Sequence, residues 1–162
     1  MLILTGPPAA GKNTLGILLA RRRERCAVID FDAVRAMFVQ PHRAPWQGEE
    51  GWRQQRLGVL QVCKLATGFA ADGWEVILLD VLSNRTLPLY RQSLAPYQFK
   101  IVQLLPAWAE CSRRFHERGP VLTAEEFALV YREQEQFTTF DLRLDNSTLA
   151  PADAAARLAT LL

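Results

Sequence analysis

The stretch Leu2–Gly16, LILTGPPAAGKNTLG, constrains what this chain can fold into more than any other segment. Four apolar or β-leaning residues run into Gly6, and a Leu-, Ala- and Arg-rich run follows Thr14, which reads as strand, tight turn, helix. The spacing Gly6-x4-Gly11-Lys12 lets backbone N–H groups turn inward around an anion, while Lys12 and the positive end of the following helix face it. The residues expected to line such a phosphate cradle are Gly6, Pro7, Pro8, Ala9, Ala10, Gly11, Lys12, Asn13 and Thr14. Asn13 stands where this pattern has a hydroxyl side chain for Mg²⁺; its amide oxygen is a neutral hard ligand that Mg²⁺ accepts.

Further apolar runs bounded by turn signals recur at 26–30 (CAVID), 74–80 (WEVILLD), 99–105 (FKIVQLL) and 140–145 (FDLRLD). The middle runs are nearly continuous rather than alternating, so both their faces are buried. Between them lie helical patterns expected at 13–25, 33–39, 51–71, 86–94, 107–118, 125–137 and 152–162. Alternation of this kind means one parallel five-stranded sheet between two helical layers, an α/β/α sandwich. Thr123–Glu126 (TAEE) is a capping box, Pro151 opens the last helix, and Ala71-Asp72-Gly73 closes the long one. The loosest stretch is 40–51, QPHRAPWQGEEG, placed where loops at strand C-termini shape a ligand crevice.

At 162 residues, with 49% hydrophobic and 22% charged residues, the chain is expected to be a single domain spanning 1–162. A net charge of +2 is too small to argue for nucleic acid, although Arg supplies most of the basic residues. Cys26, Cys63 and Cys111 lie far apart without a C-x-x-C and are expected to be reduced and mostly buried. The first core strand starts at Leu2, and no apolar run reaches the ~18 residues of a membrane span, so a cytoplasmic protein is expected.

The second strand ends in VIDFDAVR, with Asp30 and Asp32 at period two beside the expected cradle. Either carboxylate is placed to take a proton, and Asp32 also precedes a helix and suits its N-cap. Asp30 is the one expected to hold a metal-bound water or a loop N–H. The third strand, VILLD, ends in Asp80, the form taken by an acid that holds Mg²⁺ or its water. In AECSRRFHERG, Arg114 and Arg118 share a helical face ahead of Gly119, an arrangement suited to a lid that brings Arg to a transferring phosphate or to a solvated face paired with Glu110 and Glu117. Trp46 and Trp52, with Gln47, Glu49 and Arg53, are either core or the lining of an acceptor pocket.

Together the segments GPPAAGKN, DFDAVRAM, GWEVILLDVLSN, AECSRRFHERG and LVYREQEQF…DLRLDNS resemble small P-loop kinases over nearly the whole chain. They are most similar to the chloramphenicol phosphotransferase-like group, alongside AAA-type and zeta-toxin-like small kinases. That resemblance implies the P-loop NTPase fold in its nucleoside-monophosphate-kinase-like form, ATP and Mg²⁺ as cofactors, and transfer of the γ-phosphate to a small-molecule hydroxyl. It implies catalytic roles for Lys12, for Asp32 as base and for Arg114 and Arg118 in a lid, nucleotide contacts by Arg114 and Asn146, and a metal site from Asn13, Asp30 and Asp80. Asp32-x-x-Arg35 also resembles the acceptor segment of phage-type polynucleotide 5′-kinases, where the Asp is base and the Arg assists the phosphate; that makes a nucleic acid or nucleoside acceptor the alternative. Leu79 departs from the chloramphenicol enzymes, which carry an acid there. A non-catalytic nucleotide-binding switch is the third reading, and a monomer or weak homodimer is the expected state.

Overall fold

The structure, a computed structural model, describes residues 1–119 and 122–159. Strand β1 (Leu2–Thr5) is followed by α1 (Lys12–Ala20), β2 (Cys26–Asp30), α2 (Phe31–Arg35), α3 (Gly48–Ala71), β3 (Glu75–Leu79), α4 (Leu87–Ser93), β4 (Lys100–Leu104), α5 (Trp108–Glu117), α6 (Ala124–Gln136), β5 (Leu142–Leu144) and α7 (Pro151–Ala159). The strands form one sheet in the order β2-β3-β1-β4-β5, and every pairing is parallel.

Alternate strand residues sort into two cores, as the two-residue period of a strand requires. Leu2, Leu4, Ile77, Leu79, Val102 and Leu104 pack with Leu15 and Leu19 of α1 and Ala154, Ala155 and Leu158 of α7. Ile3, Val76, Leu78 and Ile101 point the other way, onto Val59, Val62 and Ala66 of α3 and Leu87 and Tyr90 of α4. The α/β/α sandwich read from the sequence is therefore the observed architecture. A third cluster joins α5 to α6, with Phe115 and Phe127 stacked 4.1 Å apart and Cys111 and Tyr131 beside them.

Three helices differ by more than one residue from the sequence reading. Helix α1 stops at Ala20 rather than Arg25, because Arg23 leaves the helix to pair with Glu75 at 2.6 Å and Arg25 already accepts a hydrogen bond from the Glu75 N–H. Helix α2 starts at Phe31 and ends at Arg35, because Asp30 caps it. Helix α3 starts at Gly48, placing Glu49 and Glu50 in its first turn, where the helix dipole favours them. The expected seventh helix begins at Pro151; its last three residues, 160–162, lie outside the described residues.

The expected capping box is formed. Thr123 Oγ1 accepts from the Glu126 N–H at 3.2 Å, and Glu126 Oε2 accepts from the Thr123 N–H at 2.9 Å. Glu126 Oε1 also accepts from Trp46 Nε1 at 3.2 Å, so the cap ties α6 to the 40–47 loop. Thr123→Ala removes one cap bond and is expected to lower stability by about 1 kcal/mol in urea unfolding, with the m-value unchanged.

Candidate active site

The cradle forms at the C-terminal edge of β1. Gly6 adopts φ 145, and a Cβ there would lie 2.2 Å from the Leu104 carbonyl oxygen, so the close approach of loop to β4 admits glycine alone. Gly11 is the N-cap of α1 at φ 95, which turns the chain from loop into helix with the free N–H groups facing the crevice. Lys12 is buried, and its Nζ donates to the Gly6 and Pro7 carbonyls at 2.8 and 3.0 Å. Burial lowers its pKa, opposed by the negative fields of Asp32, Asp80 and Asp30.

Beneath the loop a buried polar network holds the strand ends in place. Thr5 Oγ1 accepts from the Leu82 N–H at 2.9 Å and donates to Gln134 Oε1 at 3.4 Å. Gln134 Nε2 donates to the Leu82 carbonyl at 2.6 Å, and Gln103 Nε2 donates to the Gln134 carbonyl at 2.6 Å. Cys111 donates to the Pro8 carbonyl at 3.3 Å, and burial pushes its thiol up to about 11. Cys63 is likewise buried and pushed up to about 12, and all three cysteines are unbridged.

Asp30 closes β2 and caps α2, its Oδ1 accepting from the Asp32 N–H at 3.0 Å. Its Oδ2 accepts from Asn13 Nδ2 at 2.6 Å. The N-cap assignment that the sequence offered to Asp32 thus belongs to Asp30, because the helix starts two residues earlier. Asp32 sits in the first turn of α2 and is exposed. Crowding by surrounding protein raises its pKa; the Lys12, Arg35 and Arg118 charges oppose that rise and the Asp30 charge adds to it. Lys12, Asp30, Arg35 and Arg118 all act through space on Asp32.

Asp80 is buried directly after β3. Its Oδ1 accepts from the Val81 N–H and its Oδ2 from the Tyr90 O–H, both at 2.7 Å. Burial pushes this carboxyl up to about 6, with those two hydrogen bonds opposing the rise. A group raised from 3.8 when unfolded to about 6 when folded adds stability that is full below pH 4 and disappears as pH rises through 6. In EDTA-containing buffer the wild type is expected to lose about 2 kcal/mol relative to Asp80→Asn between pH 4 and pH 7. Urea unfolding of both proteins across that range measures the difference, and parallel curves would contradict it.

The two arginines expected in a lid differ in their contacts. Arg114 Nε donates to Glu110 Oε1 at 2.7 Å, and its Nη2 donates to the Asn146 and Ser147 carbonyls at 3.1 and 3.3 Å, so it clamps the turn between β5 and α7. Asn146 is buried against the cradle, Nδ2 donating to the Ala10 carbonyl at 2.9 Å while its Oδ1 lacks a partner. Arg118 closes α5 as its C-cap, ahead of Gly119 at φ 70, and its charge reaches Asp32. Arg113 forms the solvated face, paired with Glu110 and Glu117.

On the other wall Trp52 carries the Arg85 guanidinium 3.5 Å from its ring centroid, while Glu49 and Arg53 are exposed. Gln47 accepts from the Ala44 N–H and shapes the loop. Arg35 and Gln55 are buried on this side, and each has one polar atom without a partner. Sequence reasoning missed Gln55, whose signal was a polar residue inside the apolar stripe of α3 with Gly51, Val59 and Val62. Tyr90, the partner of Asp80, was missed too.

No cluster of three or more His, Cys, Asp or Glu side chains suited to a metal ion occurs among the described residues. The donors present still fit Mg²⁺, which takes one or two protein oxygens and completes its shell with phosphate and water. Asn13 is held to Asp30 through its NH₂ group, which leaves its amide oxygen as the hard donor next to a carboxylate. Asp80 fits a role through water better than direct ligation, since it is buried whereas Asp30 is only half-buried.

No protein-family model matches the chain, and no curated protein matches its sequence. Solved structures do share its fold. A sugar kinase from Janibacter sp. HTCC2649 superposes with TM-score 0.76 at 15% identity, covering 98% of this chain and 91% of that one. Shikimate kinase from Acinetobacter baumannii in complex with shikimate gives 0.70 at 21% identity, over 99% and 90% of the two chains. The Deinococcus radiodurans tunicamycin resistance protein gives 0.73 at 14% identity, over 99% and 94%. The chain has the α/β fold of small P-loop kinases.

Proposed function

We propose that this protein is an ATP- and Mg²⁺-dependent phosphotransferase that moves the γ-phosphoryl group onto a hydroxyl of a small molecule, antibiotic-, sugar- or nucleoside-like. The observation that carries this reading is the placement of Asp32, exposed in the first turn of α2 beside Asp30, which is bonded to Asn13 of the loop, and within electrostatic reach of Lys12. A proton acceptor and a phosphate-binding ammonium at one crevice are what transfer to a hydroxyl needs.

In this mechanism the N–H groups of the loop and of α1 bind the phosphates, and Lys12 Nζ adds its charge where negative charge builds up on the transferring group. Asn13 and Asp30 would hold Mg²⁺, Asp80 would act on it through water, and the bound ion would screen phosphate charge. Asp32 accepts the hydrogen bond of the acceptor hydroxyl, orients its oxygen for in-line attack and takes its proton as the new P–O bond forms. Its raised pKa strengthens it as a base relative to an ordinary aspartate. Arg118 closes on the transferring group, whereas Arg114 acts as a positioning residue through the turn at 146–147. Arg35 belongs to the acceptor side. Asn146, with its unpartnered Oδ1, belongs to the nucleotide side.

The chloramphenicol phosphotransferase-like resemblance, a single domain, a cytoplasmic location and a monomeric or weakly dimeric state all belong to this reading. Among the described residues no helix is long and apolar enough to cross a membrane. The wall near the acceptor side carries Glu49 and Glu50 beside Trp46 and Trp52, a mixed lining that suits a small hydroxylated compound better than a phosphodiester strand, which calls for a basic groove. An ATP-consumption screen over antibiotics, sugars, nucleosides and 5′-hydroxyl oligonucleotides tests the proposal. Turnover with a small hydroxyl compound supports it, and turnover with the oligonucleotide alone replaces it with the polynucleotide-kinase alternative.

A further inference from the structure

All five strands run parallel, so the cradle gathers at their C-terminal ends while the starts of β1, β3 and β4 meet at the opposite edge of the sheet. The two edges are separated by one strand length, about 15 Å. At the far edge a groove of about 970 Å³ opens between these strand starts, Arg91 of α4 and the segments 97–99 and 138–141. No residue of the cradle lines it, and neither does Asp32 or Asp80. A concave volume of this size matches sites that take small molecules.

The charge of the groove is one-sided. Arg23, Arg91 and Lys100 line it against two carboxylates, Glu75 and Asp141. Both carboxylates are already committed: Glu75 Oε2 accepts from Arg23 Nη1 at 2.6 Å, and Asp141 Oδ2 accepts from the Ile101 N–H at 2.7 Å. Arg91 is exposed on α4 and makes no hydrogen bond or ion pair among the described residues. Three half-buried rings, Tyr97, Phe99 and Phe140, share the lining, and Phe99 and Phe140 pack against the core beneath α3 and α4. An uncommitted guanidinium and partly exposed rings in one concavity suit a ligand that joins a negative group to a flat apolar body.

We propose that this groove binds a small aromatic anion, at a site separate from the phosphate cradle. The carboxylate or phosphate of the ligand accepts from the Arg91 guanidinium, with the Arg23 and Lys100 charges adding to the attraction. Its ring packs on Tyr97, Phe99 and Phe140. Because no cradle residue takes part, the site does not depend on the phosphotransferase reading.

The test is ¹⁵N–¹H nuclear magnetic resonance of the whole chain, titrated with benzoate and with phenyl phosphate at constant ionic strength. Benzyl alcohol supplies the ring without charge, acetate and inorganic phosphate the charge without a ring, and benzylamine the ring with the opposite charge. At least one aromatic anion is expected to move the amide signals of residues 97–101 and 138–141 saturably, and the tighter of the two identifies the anionic group. The four other compounds are expected to bind more weakly by about tenfold or more, as is the aromatic anion to Arg91→Glu. Thr138→Trp, which fills the groove from an exposed position, is expected to abolish the shifts and serves should Arg91→Glu fail to fold. The proposal is overturned if neither aromatic anion shifts these signals saturably, if any of the other compounds binds as tightly, or if the variants respond as the wild type does. It is overturned too if the same signals move with protein concentration alone, which would give the groove to a second copy of the chain.

Discussion

Asp32→Asn is expected to cut phosphoryl transfer by roughly 10²–10⁴-fold while leaving nucleotide affinity within a few-fold of the wild type. The substitution keeps the size and hydrogen-bonding capacity of the side chain and removes only its ability to take a proton. It cannot unseat α2, since the cap is Asp30, whose Oδ1 bonds to the residue-32 backbone N–H and not to its side chain. The pH profile gives a second reading of the same variant. The raised pKa of Asp32 means that transfer by the wild type falls on the acid side from a higher pH than an ordinary aspartate would give, and this limb is expected to vanish in Asp32→Asn. Single-turnover transfer against pH measures both effects. Full transfer by the variant would move the base elsewhere.

Lys12→Ala is expected to weaken ATP binding by about two orders of magnitude or more, with the fold retained. Nζ bonds only to the Gly6 and Pro7 carbonyls, so its loss frees two loop acceptors without opening either main core cluster. Removing the ammonium also leaves Asp30, Asp32 and Asp80 without a cation that now offsets them, so the crevice becomes more hostile to a polyphosphate. Calorimetric titration of ATP with Mg²⁺, alongside urea unfolding, separates lost binding from lost structure. Unchanged affinity would contradict the phosphate-cradle assignment.

The parts legible in the sequence are those governed by local rules. Nearly continuous apolar runs implied strands buried on both faces, and the two core clusters show why: Leu2 and Leu4 face α1 while Ile3 faces α3. The Gly6-x4-Gly11-Lys12 spacing gave the loop, because its glycines answer backbone demands at positions 6 and 11 that hold in any context. Choices between partners distant in sequence were not legible. The pattern around Arg114 does not disclose its bonds to the carbonyls of residues 146 and 147, 32 and 33 positions away. The strand-end pattern of Asp80 does not disclose that Tyr90 donates to one of its oxygens. Asp32 and Asp30 exchanged the capping role over a two-residue shift in where α2 begins, within the usual uncertainty of a helix end. Gln55 escaped notice because its one signal, a polar residue inside the apolar stripe of α3, does not disclose that its Oε1 is left without a partner.

The account stands or falls on transfer of the γ-phosphate to a hydroxyl. ³¹P nuclear magnetic resonance of the protein with ATP, Mg²⁺ and mixed hydroxylated acceptors, carboxylates included, follows that event directly. The account predicts a new phosphomonoester resonance growing one-for-one with ADP, absent when Lys12→Ala or Asp32→Asn replaces the wild type. ATP bound tightly with no ester formed from any acceptor, or ADP accompanied only by inorganic phosphate, would contradict it.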